Sequence, residues 1–226
     1  MRVTIVLTLL MVTACGGTKR QATSGSAASR TSASMPDTAR AASGGVPPGY
    51  IGRTDDDRSD IRGATYKAVD GRLEITTGPA HILYSPADTL RGAFIVATTF
   101  NQLAPSPHAE AYGLFVGGTH LDQPTRRYTY FLVRGTGEYL VRVREGGETR
   151  DVVGWTAHSS VPRTSAAGKG EYRLAVRAGD DSVRFLSNGT TVAAVARGTV
   201  PIDGIFGIRV NPNLHVTVDR LRRSGN

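Results

Sequence analysis

Cysteine occurs once in these 226 residues, at Cys15, so no disulfide can form within the chain. Tryptophan also occurs once, at Trp155, and the three methionines all fall before residue 49. The five histidines, His81, His108, His120, His158 and His215, show no zinc-site spacing. No G-x-S-x-G nucleophile elbow is present. The apolar run from Val3 to Val12 is too short to span a bilayer, which needs roughly 20 such residues. No window sustains a helical period beyond a short turn. Basic side chains outnumber acidic ones, 27 to 19, for a net charge of +8, but the excess is uneven. Arg2, Lys19, Arg20, Arg30, Arg40 and Asp37 precede residue 49, so residues 49–226 hold 22 basic and 18 acidic groups and carry only +4. That remainder is mostly arginine scattered along strands, without the aromatic-interleaved basic stripe that nucleic-acid binding requires.

What is present begins with a leader. Arg2, the apolar run and the small residues Thr13 and Ala14 have the layout of a secretory signal peptide over residues 1–14. Val12-Thr13-Ala14-Cys15 resembles the bacterial lipobox, in which the cysteine is acylated and becomes the first mature residue. That resemblance implies a lipid anchor at Cys15, palmitate among its chains, and a place in the bacterial cell envelope, facing the periplasm or the exterior. Two acyl chains suffice for stable anchoring, each buried CH₂ contributing about 0.8 kcal/mol. Residues 15–48 add Ser, Gly, Ala and Thr with almost no large apolar side chain, which marks a flexible linker. Its random-coil reach is roughly 30 Å.

Residues 49–226 read as strands throughout. GAFIVATTFN, EAYGLFVGG, RRYTYFLVRG, EYLVRVRE, GEYRLAVRAG, DSVRFLSN, TTVAAVA, GIFGIRVN and LHVTVDRL are short and rich in β-branched or aromatic residues. Asp70-Gly71, Gly146-Gly147 and Asn188-Gly189 supply hairpin turns between such segments. About a dozen strands in one domain predict an all-β fold, a two-sheet antiparallel β-sandwich of jelly-roll type. Period-2 alternation assigns Tyr139, Val141, Val143, Tyr172, Leu174, Val176, Val183 and Phe185 to the core. It turns Arg142, Arg144, Arg173, Arg177 and Arg184 outward.

The run SVRFLSNGTTVAAV, followed by PIDGIFGIRVNPNLHVTVDRL, resembles the closing strands of concanavalin A-like lectin/glucanase jelly rolls. Laminin-G-like domains and bacterial domains related to 3-keto-disaccharide hydrolases share that ending, and the resemblance spans most of residues 60–222. It implies a domain that binds or cleaves glycans on its concave sheet, with structural calcium in some members. The E-x-D-x-x-E strand of the glucanase branch is missing, and Glu110 and Glu138 stand alone on their strands. TDDDRSD, residues 54–60, lacks the Gly and terminal Glu of an EF-hand loop and reads as a solvated acidic entry to the domain. No cofactor is therefore expected, and no motif supports calcium.

Candidate ligand-binding residues are those that pair an aromatic face with charged or amide groups, as a sugar requires. His108, Glu110 and Tyr112 alternate on one face, and Tyr130 shares a face with Tyr128. Arg142 follows, then Trp155 and His158 in a GWTAH loop, and Arg209, Asn211 and His215 near the end. These point to a noncatalytic carbohydrate-binding domain whose partners are a membrane, through the lipid anchor, and a glycan or other envelope component. Two alternatives stand beside it: a glycoside-cleaving enzyme related to keto-disaccharide hydrolases, and a protein-binding envelope scaffold. The anchor is tested by Cys15→Ala, which is expected to move the protein from the detergent phase to the aqueous phase on partitioning.

Overall fold

A computed structural model describes residues 45–225 together with the two-residue strand Arg30–Thr31. The leader, Cys15 and most of the linker lie outside the described residues. Among the described residues sixteen strands are formed: β1 (Arg30–Thr31), β2 (Ile51–Thr54), β3 (Thr65–Val69), β4 (Arg72–Thr76), β5 (His81–Leu90), β6 (Phe94–Gln102), β7 (Ala111–Thr119) and β8 (Arg127–Arg134), then β9 (Glu138–Glu145), β10 (Glu148–Ala157), β11 (Gly170–Ala178), β12 (Ser182–Ser187), β13 (Thr190–Ala196), β14 (Gly204–Val210), β15 (His215–Val218) and β16 (Arg222–Gly225). Among the described residues, helical structure is limited to two 3₁₀ turns, Ile61–Gly63 and Arg197–Thr199.

The strands form two antiparallel sheets, the expected β-sandwich. One has the order β10-β9-β8-β7-β14-β5-β2. The other, of nine strands, runs β13-β12-β11-β6-β15-β4-β3, with β16 continuing along β6 after β15 and β1 pairing with β16. Hairpins follow the local turn chemistry. Asp70-Gly71 and Asn188-Gly189 both have positive φ at each central residue, the conformation a two-residue primed turn demands. The last strands return between earlier ones, β14 between β5 and β7 and β15 between β4 and β6.

Alternation fixes which side chains meet between the sheets. Tyr112, Leu114, Val116, Phe131, Val133, Tyr139, Val141, Val143, Ile208 and Val210 from the seven-stranded sheet pack with Phe100, Tyr172, Leu174, Val176, Phe185, Val216 and Val218 from the other. Val46 packs against this core and Pro47 is buried, so the ordered domain takes in two residues that composition alone places in the linker. His81 is also interior: its Nδ1 faces the Pro79 carbonyl at 2.9 Å and its Nε2 the Tyr66 hydroxyl at 2.8 Å. Burial lowers its pKa, which keeps the ring neutral, with Nδ1–H donating to Pro79 and Nε2 accepting from Tyr66.

Two strands depart from simple alternation. In β5 the ladder to β14 is broken between Tyr84 and Thr89, and Pro86 falls in that gap, where no ladder donor is lost. In β7 the break lies between Val116 and Thr119, and Gly117 takes φ +69° there. A Cβ at Gly117 would stand 2.4 Å from the Pro201 carbonyl oxygen. Gly117→Ala is therefore expected to cost about 2–3 kcal/mol, from strain and overpacking together, as read by chemical denaturation.

Candidate functional site

The seven-stranded sheet is packed on both sides. Its outer face carries a second apolar cluster, in which Ile82, Tyr84, Phe115, Leu121, Tyr128, Tyr130, Leu132 and Leu140 are buried and Trp155 and Ile205 pack against them. An antiparallel sheet commonly leaves one face to water. Here the connection between β7 and β8 supplies Leu121 and Arg126 to the cover, and the connection after β2 supplies Asp55.

Arginines are threaded through this aromatic layer. Arg209 on β14 is 6 % exposed, Arg144 on β9 8 % and Arg126 5 %. The Asp55 carboxylate accepts from Arg209 through both terminal nitrogens, Nη1 to Oδ1 at 2.6 Å and Nη2 to Oδ2. Arg144 Nη2 lies 3.2 Å from Asp55 Oδ2, and Arg126 Nη2 donates to the Asp55 main-chain carbonyl at 2.7 Å. The Arg209 guanidinium carbon sits 4.9 Å from the Tyr130 ring centroid, and Nη1 reaches the Tyr128 hydroxyl at 3.3 Å. Burial alone would raise the Asp55 carboxyl, but the Arg209 hydrogen bond and the charges of Arg209, Arg144 and Arg126 hold it below its ordinary value. Burial works against the Arg209 charge in turn, and Tyr128 and Asp55 outweigh it.

Toward β10 the face is more open. Arg142 pairs with Asp151 across the β9–β10 ladder. The Arg134 guanidinium lies over the Trp155 ring at 4.1 Å and also binds Glu138 at 2.8 Å. Hydrogen bonds from Arg134 and Thr136 hold the Glu138 carboxyl below its usual range. Tyr130, Arg142, Trp155 and Arg209 thus come together on one outer face, with β9, β8, β7 and β14 as sheet neighbours. Trp155 is on strand β10 and not in a loop; bulges between Asp151 and Thr156 disrupt the alternation that would have revealed the strand.

The other candidates do not join them. Tyr112 is in the core, against Phe100 and Tyr172. Residues 103–110 are irregular, so an alternation counted from His108 does not carry into β7, which starts at Ala111. His108 is exposed and Glu110 half-buried in that connection, where they line a cleft of about 330 Å³ with Gln102, Thr136 and Thr164. His158 follows β10, its ring against the edge of Tyr139, and its Nδ1 accepts from the Ser160 amide at 3.1 Å. Asn211 is at the end of β14, where its amide donates to the Ala111 carbonyl. His215 belongs to the other sheet, 3.0 Å from Glu74. The TDDDRSD segment is not uniformly solvated either: Asp56 and Asp57 are exposed, whereas the Asp55 side chain is 23 % exposed and turned into the arginine cluster. Among the described residues no group of three His, Asp or Glu side chains is placed to hold a metal ion.

No family model and no curated protein matches this sequence. Solved structures do share its fold. The carbohydrate-binding module CBM66 from Bacillus subtilis matches with a TM-score of 0.56 at 12 % identity, over 78 % of this chain and 96 % of that one. A native glycosidic hydrolase matches at 0.54 and 10 % identity, over 78 % and 90 %. The potassium-bound carbohydrate recognition domain of Emp46p matches at 0.51 and 12 % identity, over 77 % and 88 %. At such identities the likeness is one of architecture, the jelly roll of galectin-like and concanavalin-like proteins.

Because the folded-state pKa of Asp55 is depressed, its ion pairs stabilise the protein above the ordinary carboxyl range, about pH 3.9, and that contribution is lost as pH falls through the folded value. Asp55→Asn is expected to lose about 3 kcal/mol near neutral pH, the low end for breaking a buried pair. The gap between variant and wild type should narrow below about pH 4, as read by denaturant melts across pH.

Proposed function

We propose that this chain is a membrane-anchored envelope lipoprotein whose jelly-roll domain binds a carbohydrate, without cleaving it, on the outer face of the seven-stranded sheet. The observation that carries the proposal is the composition of that face: half-buried Trp155 offers aromatic surface above a buried layer that includes Tyr130, while the partly exposed Arg134 and Arg142 offer hydrogen-bond donors beside it. A pyranose presents the complementary chemistry, an apolar ring face edged by hydroxyls. The fold likeness to a carbohydrate-binding module and a carbohydrate recognition domain supports the same ligand class. The lipobox-like Val12-Thr13-Ala14-Cys15 supports the anchor.

The state of the acids supports binding over catalysis. A glycosidase of the two-carboxylate kind needs one of them protonated, with its pKa raised, to serve as general acid. On this face Asp55 and Glu138 are both held low by arginines, and Asp151 is paired with Arg142. Neither Asp55 nor Glu138 is held protonated as a general acid would be.

Trp155 is the single tryptophan, so its fluorescence reports on this face without labelling. A glycan array should return a set of bound sugars, and titrating one of them should change Trp155 emission. Arg142→Ala is expected to weaken that binding about tenfold, roughly 1.4 kcal/mol. The melting temperature should hardly change, since the side chain is partly exposed. Binding that leaves Trp155 emission untouched and is indifferent to Arg142 would place the ligand elsewhere.

A further inference from the structure

Toward β10 the ion pairs of the outer face are one-to-one: Arg142 with Asp151 and Arg134 with Glu138. The central cluster is not. Arg209 and Arg144 share the carboxylate of Asp55, Arg126 holds its carbonyl, and Asp57 comes only within 3.9 Å of Arg126. Each guanidinium carries five N–H donors, and the Nε atoms of both Arg209 and Arg144 are buried without a hydrogen-bond partner. Buried cations in surplus over anions are costly, so their retention calls for an explanation.

The two kinds of partner are held differently. Arg209 and Arg144 issue from β14 and β9 in the body of the sheet, with Arg209 braced on the Tyr130 ring and the Tyr128 hydroxyl. Asp55 comes from a surface connection. Rotation of its side chain would vacate the cluster while its own amide keeps its 3.0 Å bond to the Ala80 carbonyl. What remains would be a guanidinium fork against an aromatic ring with a second guanidinium beside it, a geometry suited to bidentate recognition of a planar carboxylate. The tip of Asp55 is itself an acetate group.

We propose that the Arg209–Arg144–Arg126 cluster is a carboxylate-binding site, filled by Asp55 in the free protein, and that the outer face takes a sugar bearing a carboxylate, which displaces Asp55. The exchange is one carboxylate for another, so the charge of the cluster is unchanged by it. The sugar part of this proposal rests on the glycan-binding reading above; the carboxylate part stands on the cluster alone.

The test is rescue of Asp55→Ala in the full chain, followed by thermal melting in sodium glucuronate, sodium acetate, glucose and sodium chloride at matched concentrations. Loss of the acid should lower Tm by roughly 6–12 °C. Glucuronate and acetate should raise the Tm of the variant above the chloride control, glucose should not, and the wild type should respond less because Asp55 competes. Equal Tm in chloride and in the two carboxylates, or equal responses of variant and wild type, would overturn the site. Should Asp55→Ala fail to fold, Asp55→Asn, which keeps the size of the side chain, reads the same comparison. Rescue by carboxylates while no glycan alters Trp155 emission would overturn the sugar part and uphold the site. Trp155 responding to neutral oligosaccharides without carboxylate rescue would overturn the carboxylate site and leave only the glycan-binding reading of the face.

Discussion

Arg209 cannot lie 6 % exposed on the outer face of a sheet unless an anion accompanies it, and Asp55 is that anion. The pair joins positions 154 residues apart, tying the connection after the edge strand β2 to β14 near the middle of the sheet. Much of the face then follows. With Asp55 in place, Arg209 can lie over Tyr130 and reach Tyr128, and Arg144 and Arg126 find a common acceptor. The aromatic layer from Phe115 to Tyr130 is thereby covered by charged side chains held in ion pairs and hydrogen bonds.

The two sheets differ in what they show to the outside. The nine-stranded sheet turns Arg173, Arg177 and Arg184 outward as exposed side chains, the ordinary solvated face of an antiparallel sheet. The seven-stranded sheet turns out a second apolar cluster with arginines buried in it. Packing between the sheets does not require that second cluster, since the core is already closed by Phe100, Phe131, Phe185 and their neighbours. Buried rings and guanidiniums distinguish this face from the solvated outer face of the other sheet and are the physical basis of the binding proposal.

Much of this architecture was legible in the sequence. Strands β6, β11 and β12 alternate cleanly because each has one face in the core and the other toward water, β7 to β9 and β14 declare themselves by β-branched and aromatic content, and Asp70-Gly71 and Asn188-Gly189 mark the β3–β4 and β12–β13 turns by chemistry. Strand β10 was not legible, because it is an edge strand with two irregularities and no fully buried side. Three candidate residues, Tyr130, Arg142 and Arg209, could be assigned to one face from alternation and strand order, with Trp155 reached only as a flanking loop residue; Tyr112 could not, because the phase was counted through an irregular connection. Asp55 was hidden for a different reason. An acidic run in a loop looks solvated from sequence, and only the long-range contact with Arg209 distinguishes it from Asp56 and Asp57.

Side-chain NMR of the guanidinium groups addresses the central claim most directly, with arginine Nε–H signals observed before and after addition of sodium glucuronate. The account predicts that the Nε–H protons of Arg209 and Arg144 exchange slowly with solvent and shift on addition, while those of Arg173, Arg177 and Arg184 on the other sheet exchange fast and stay in place. Fast exchange at Arg209 and Arg144, or shifts confined to the nine-stranded sheet, would contradict it.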